Sequence, residues 1–286
     1  MKIHALIRII ALSALLVLPA PVLGNAASSK SGGGKAAPAQ SAPAAEPAQA
    51  DGKGQPQAQE EEGIFAGLKP VMGPATVKLG TQGQAKIPEG LIFFNARDTR
   101  TLLERLANLT CGDELGLVGT PDLKWLAVFA FDNSGYVEDT GDAADIDAKA
   151  LLQSIKDNVA EANKEKAARG WAPSEVVGWA IPPHYNKETK NLEWSVRFKS
   201  SGQEYDNYNV RILGREGVMR VIFVGDQDGY AQSLQAARGV MADYSFSAGK
   251  THAEWRQGDK VAGYGLAALI AGGAAAAAAK SGLLGK

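Results

Sequence analysis

The chain is poor in the residues that build cross-linked sites and common catalytic sites. Its 286 residues include one cysteine, Cys111, and three histidines. A single cysteine excludes a disulfide within one chain and a zinc site built on cysteines. Thirty basic residues against 31 acidic ones leave a net charge of −1. This balance argues against nucleic acid as a partner, which requires a strongly positive surface. The sequence also contains no pattern that predicts a cofactor.

Strongly apolar residues are missing from a long stretch near the amino end. Residues 26–62 contain no Val, Ile, Leu, Met, Phe, Trp, Tyr or Cys. Such a segment cannot bury enough apolar surface to offset the entropy lost on ordering it. Its richness in Gly, Pro, Ala, Gln and Ser is typical of a solvated spacer. We therefore predict a disordered linker over residues 25–62.

The residues before this linker have the order of a secretory signal. Lys2 and Arg8 accompany an apolar run over residues 5–17, and small residues follow from Gly24. We predict a signal peptide over residues 1–24, with an uncleaved membrane anchor as the alternative. The expected location is a bacterial inner membrane, with the main domain, residues 63–258, in the periplasm.

A second uncharged stretch lies near the carboxyl end. Residues 261–279 are 19 residues without a charge, about 28 Å long as a helix and just enough for the hydrocarbon core of a bilayer. We predict a membrane helix and short tail over residues 261–284, in contact with lipid. Ala and Gly dominate this stretch, so the alternative is a small-residue helix packed on the soluble domain. Small residues four apart, such as Gly263 and Ala267, would also allow close helix packing in a homo-oligomer.

Hydrophobic patterning between the two ends predicts an α+β domain. Three amphipathic helices are expected, at about 98–109, 145–168 and 228–242, the first capped by Asp98 or Thr99. Short apolar or alternating runs separated by turn residues predict hairpin-linked strands. The strands are expected at 75–79, 84–87, 91–94, 115–118, 125–131, 175–181, 191–198, 207–213 and 217–224. The resulting architecture is an antiparallel sheet with helices against one or both faces, followed by the C-terminal transmembrane helix.

Four strings of residues carry a family resemblance. They are FDNSGYV at 131–137, GWAIPPHY at 178–185, LEW at 192–194 and NYNVRILGREG at 207–217. In this combination and order the chain resembles the bacterial domain-of-unknown-function family 2167, described as predicted membrane-anchored proteins. The resemblance covers about residues 63–284. Because the family has no established activity, it implies no catalytic residue.

One hairpin combines cationic and aromatic residues and is a candidate binding surface. It contains Arg211, Arg215 and Arg220 beside Tyr205 and Tyr208. A surface of this kind could hold a phosphate, a glycan or lipid headgroups. Alternation along the strands would instead place Arg211 and Arg220 on an ordinary solvent face.

The leading hypothesis is a non-enzymatic, membrane-anchored module that binds an envelope protein or glycan, or organises the envelope. The alternative is an envelope hydrolase or transferase. Its site would gather Asp132 and either Glu138 or Asp139 with His184 or the hairpin arginines. The acidic residues from Glu138 to Asp147 do not fit a twelve-residue calcium loop, because the glycine at its sixth position and the closing glutamate are missing. We therefore predict no metal site.

Overall fold

The computed structural model describes residues 63–139, 146–186, 189 and 191–270. The predicted signal peptide and linker, residues 1–62, lie outside the described residues. The three longer helices are α1 (Ala96–Arg105), α2 (Ala148–Ala168) and α3 (Tyr230–Ala242), and a short helix, α4, covers Leu266–Ile270. The strands are β1 (Val71–Met72), β2 (Ala75–Leu79), β3 (Gly83–Ile87), β4 (Ile92–Asn95), β5 (Glu114–Gly119), β6 (Trp125–Asp132), β7 (Glu175–Asn186), β8 (Asn191–Ser200), β9 (Gln203–Leu213), β10 (Val218–Gly225) and β11 (Ser245–Phe246).

One large antiparallel sheet organises the domain. Its eight strands lie in the order β1-β4-β5-β6-β10-β9-β8-β7, and a second sheet has the order β11-β3-β2. The tight turn after β9 pairs β10 back on it, so that Arg220 lies directly opposite Arg211. The prediction of an α+β fold with an antiparallel sheet and three longer helices is confirmed.

The large sheet has a core on each face because its central strands, β6 and β10, carry apolar residues at consecutive positions, and consecutive side chains point to opposite faces. On one face, which we call the α2 face, Ile222 and Val224 of β10 pack with residues of α1 and α2. On the other, the α3 face, Val221 and Phe223 pack with α3 and the small sheet. Period-two alternation therefore decides which side chains of β8, β9 and β10 can meet.

Two helices begin at residues other than the predicted ones. Asn95, the last residue of β4, caps α1 by accepting hydrogen bonds from the backbone N–H groups of Arg97 and Asp98. The predicted caps Asp98 and Thr99 lie inside the helix, so that prediction is wrong. Asp147 caps α2, which starts three residues after the predicted position.

The carboxyl-terminal segment packs on the domain as far as it is described. Its backbone is joined to the loop after β6 by a parallel bridge between Tyr136 and Val261. Leu266, Leu269 and Ile270 belong to the core of the α2 face. We call residues 260–270 the strap. Within the described ranges, no helix is both long and apolar enough to cross a bilayer. The rest of the predicted membrane segment, residues 271–284, lies outside the described residues.

Candidate functional site

Strand alternation divides the five residues of the predicted binding surface. Tyr205 and Arg211 point to the α2 face, where Tyr205 stacks on Phe198, while Tyr208 lies in the core of the α3 face. Arg220, opposite Arg211, is also buried. The expectation of a solvent face for Arg211 and Arg220 therefore differs from their position in the structure.

The fifth residue, Arg215, lies in the turn between β9 and β10. Its Nε and Nη2 atoms donate to the two carboxylate oxygens of Asp259, both at 2.7 Å. This bidentate geometry is the strongest common form of an arginine–carboxylate pair. It lowers the pKa of Asp259 to about 2. Arg215 thus joins the β9–β10 turn to Asp259, the residue just before residue 260. It is not part of the group formed by Arg211 and Arg220.

Arg211 is a buried cation held mainly by stacking. Only 7% of the residue is exposed, and its guanidinium carbon lies 4.6 Å from the centre of the Trp194 ring. Its Nη1 donates to the carbonyl oxygen of Val210 at 3.2 Å, while its Nε is buried without a hydrogen-bond partner among the described residues. Burial and the neighbouring Arg220 lower the pKa of Arg211 to about 9, which leaves it charged at neutral pH.

The two arginines form a cross-strand pair, which we call the arginine pair. Arg220 lies between Arg211 on β9 and the small Ala130 on β6. Its Nη2 donates to Asp113, the residue just before β5. Like charges placed directly opposite one another in a sheet repel, so the arrangement depends on neighbouring counter-charges. Asp113 supplies one such negative charge to Arg220. Burial raises the pKa of Asp113.

The strap closes over this part of the sheet. The hydroxyl of Tyr264 donates to Asp132 Oδ2 at 3.1 Å, and Tyr264 is near enough to both arginines to interact electrostatically. At the start of the strap, Lys260 Nζ donates to the carbonyl oxygen of Asn133 at 3.0 Å. Gly135 permits this approach, since a Cβ there would lie 2.7 Å from the Lys260 carbonyl oxygen.

One group of described residues has donor atoms close enough together to suggest a metal ligand set. Single donor atoms of Cys111, Asp113 and Glu114 lie within 4.8 Å of one another. Both oxygens of Glu114 already accept backbone N–H groups, from Cys111 at 2.6 Å and Gly112 at 2.9 Å. Burial raises the pKa of the Cys111 thiol to about 12, whereas metals bind the thiolate. These contacts make the group a folded loop held by hydrogen bonds rather than a built metal site.

The enzymatic alternative is met only in part, because Asp132 lies near the arginine pair but His184 is kept apart from the acidic residues. Tyr185 donates from its hydroxyl to Asp139 Oδ2 at 2.7 Å. His184, the preceding residue of β7, pairs with Glu193 across the sheet, whereas Tyr185 pairs with Leu192 of the α2-face core. Consecutive residues of a strand point to opposite faces, so Asp139 and His184 lie on opposite sides of the sheet.

His184 instead joins a cluster that the sequence analysis did not identify. Tyr208 donates its hydroxyl to Glu193 and accepts from Arg238 Nη2 at 2.8 Å. The Arg238 guanidinium lies over the Tyr208 ring at 4.9 Å, and His184 Nε2 is 3.8 Å from Glu193. The side chains of His184 and Arg238 are about half exposed, so this is an edge cluster and not a closed active site. The strand pairing of β8 with β9 was the missing signal, since Glu193 and Tyr208 share a face.

Comparison with known proteins identifies a family. The family model described as "Protein of unknown function (DUF2167)" matches residues 71–286. Because this match covers most of the chain, the protein belongs to that family, as the four sequence strings predicted. A comparison with curated proteins gave no match.

Among solved structures, the solution structure of cyanobacterial PsbP (CyanoP) from Synechocystis sp. PCC 6803 is weakly similar. It is 8% identical, with a TM-score of 0.38, and the match covers 63% of this chain and 92% of that one. A similarity at this level says nothing about function.

Proposed function

We propose that this family member is a binding module held at the outer side of a bacterial inner membrane, and not an enzyme. The observation that carries the proposal is the separation of His184, the candidate base, from the acidic residues of the enzymatic alternative. General acid–base catalysis requires its groups within hydrogen-bond reach of one reacting atom. Asp139 and His184 are separated by the sheet, and Asp132 is already bonded to the strap through Tyr264.

Binding is favoured because a charged group is buried without a direct counter-ion. Among the described residues, no carboxylate lies within 4.0 Å of Arg211. Burying a charge in this way is costly unless the charge is paired. Such a cost is commonly kept where the charge recognises a ligand. The partner would be an envelope component, such as an envelope protein or a glycan, that presents an anionic group to Arg211.

The membrane attachment follows from the two ends of the chain. Leu266, Leu269 and Ile270, three of the strongly apolar residues of 261–284, are packed in the core of the domain. Residues 271–279 alone would span about 14 Å as a helix, half of a hydrocarbon core. We therefore assign the anchor to an uncleaved leader, residues 1–24, with the linker as the tether.

Reporter fusions active on only one side of the membrane test this assignment. Reporters fused after Gly258 and after Lys286 should both be active outside the cytoplasm. Cytoplasmic activity after Gly258 would end the proposal. Cytoplasmic activity only after Lys286 would restore residues 261–284 as the membrane helix and lipid contact.

A further inference from the structure

We propose that the arginine pair is the binding site for a small oxyanion of the phosphate class. This inference rests on the proposed binding function and names the chemical group that the site would bind. A phosphate group offers several acceptor oxygens, and guanidinium groups bind such oxygens through paired N–H donors. Arg211 has such a donor to offer, because its Nε is buried and without a partner among the described residues.

The surroundings of Arg211 fix its orientation without neutralising it. Stacking on Trp194 holds the plane of the guanidinium, which leaves its edges to donate hydrogen bonds. Among the described residues, its one hydrogen bond goes to a neutral acceptor, the carbonyl oxygen of Val210. A planar cation held in place in this way is pre-organised for an anion, since little side-chain freedom remains to be lost on binding.

The charges around the pair leave Arg211 as the preferred contact. Arg220 is bonded to Asp113, and Asp132 accepts a hydrogen bond from Tyr264. Both carboxylates also interact with Arg211 at longer range. An anion at Arg211 would therefore relieve the repulsion between the two arginines, while Asp113 and Asp132 oppose a highly charged ligand. This balance favours a single phosphate group over a polyphosphate.

Access to the site requires movement of the strap. Tyr264 lies near both arginines and donates a hydrogen bond to Asp132, and Arg211 is almost completely buried. A phosphate group on a lipid and free phosphate offer the same oxygens to the arginines. They differ because the lipid also carries acyl chains, for which the strap must leave room. The two sources can be separated by using both as probes.

The test is calorimetric titration of the purified full chain with inorganic phosphate and, separately, with a soluble short-chain phosphatidic acid. We expect saturable one-to-one binding of at least one probe. Arg211→Met keeps an unbranched side chain of similar length against Trp194 and should weaken binding at least about tenfold. The control is Arg169→Met, because Arg169 also stacks on a tryptophan, Trp171, but is paired with Glu165 on α2.

The outcomes separate this inference from the proposed function. Binding of inorganic phosphate favours a free oxyanion, and binding of phosphatidic acid alone favours a headgroup. No binding of either probe, or equal binding by wild type and Arg211→Met, would overturn the inference and leave a water molecule as the partner of Arg211 Nε. Because Arg211 has no carboxylate within 4.0 Å among the described residues and repels Arg220, Arg211→Met should melt no lower than wild type, which separates lost binding from lost folding. The reporter fusions test the membrane topology, and their outcome does not depend on whether phosphate binds.

Discussion

Leu266→Ala is the sharpest test of whether the strap belongs to the folded domain. Leu266 is 0% exposed and lies in the core of the α2 face. The change removes three carbon atoms, worth about 0.8 kcal/mol each, or about 2.4 kcal/mol of transfer free energy. The cavity left behind raises the expected loss in the free energy of unfolding to about 3–5 kcal/mol. For a domain of this size, the melting temperature should fall by roughly 6–20 °C.

The measurement is equilibrium urea unfolding of the purified full chain, followed by tryptophan fluorescence. Val261→Ala is the matched control, because Val261 lies in the same segment but is 44% exposed. It should change the free energy of unfolding by about 0.5 kcal/mol or less. If Leu266→Ala were no more destabilising than this control, the strap would not be part of the core, and the argument for anchoring by the leader would fail.

Three further substitutions test the electrostatics of Asp259 and Lys166 and the contact between Gly135 and the strap. The pKa of Asp259 is lowered from 3.8 to about 2, first by its hydrogen bonds with Arg215, so the pair stabilises the fold above about pH 4 and this contribution is lost as the pH falls toward 2. Asp259→Asn should flatten that part of an acid-unfolding curve. Burial lowers the pKa of Lys166 from 10.5 to about 8, so the unfolded chain binds more protons between these values and stability rises with pH across this window. Lys166→Met should be more stable than wild type at pH 7 and should lack the rise, as urea unfolding at several pH values would show. Gly135→Ala should lower the melting temperature more than Gly112→Ala, because both positions have positive φ but only the first would meet a strap carbonyl; equal losses would mean that the contact with the strap is unimportant.

Local patterns predicted the elements of the fold well where one rule dominated. The helix-stopping Gly170 predicted the end of α2 at Ala168, and the turn around Arg215 predicted the β9–β10 hairpin. The prediction failed for β7, which was expected to end at Ile181 but continues to Asn186 through Pro182 and Pro183. Proline is tolerated there because β7 is an edge strand of the sheet. Edge position is a property of the whole sheet, and a local pattern cannot reveal it.

The candidate site was predictable in its residues but not in its burial. Alternation and the short hairpin are enough to place Arg211 and Arg220 opposite each other on one face. The solvent exposure of that face depends on Trp194 from β8 and Tyr264 from the strap. These residues are 17 and 53 positions from Arg211 in sequence. Contacts at such separations are fixed by strand order and packing, and these were the features that periodicity could not supply.

The strap shows what hydropathy alone leaves out at the carboxyl end. An uncharged run of sufficient length satisfies the criterion for a membrane helix, but the criterion ignores where the large side chains lie around the helix. Leu266, Leu269 and Ile270 are spaced i, i+3 and i+4, which puts all three on one side. A helix surrounded by lipid gains from large apolar side chains on every side, whereas a helix on a protein surface needs them on one side only. The one-sided spacing therefore favours packing on the domain, which is the arrangement that buries all three residues in the core of the α2 face.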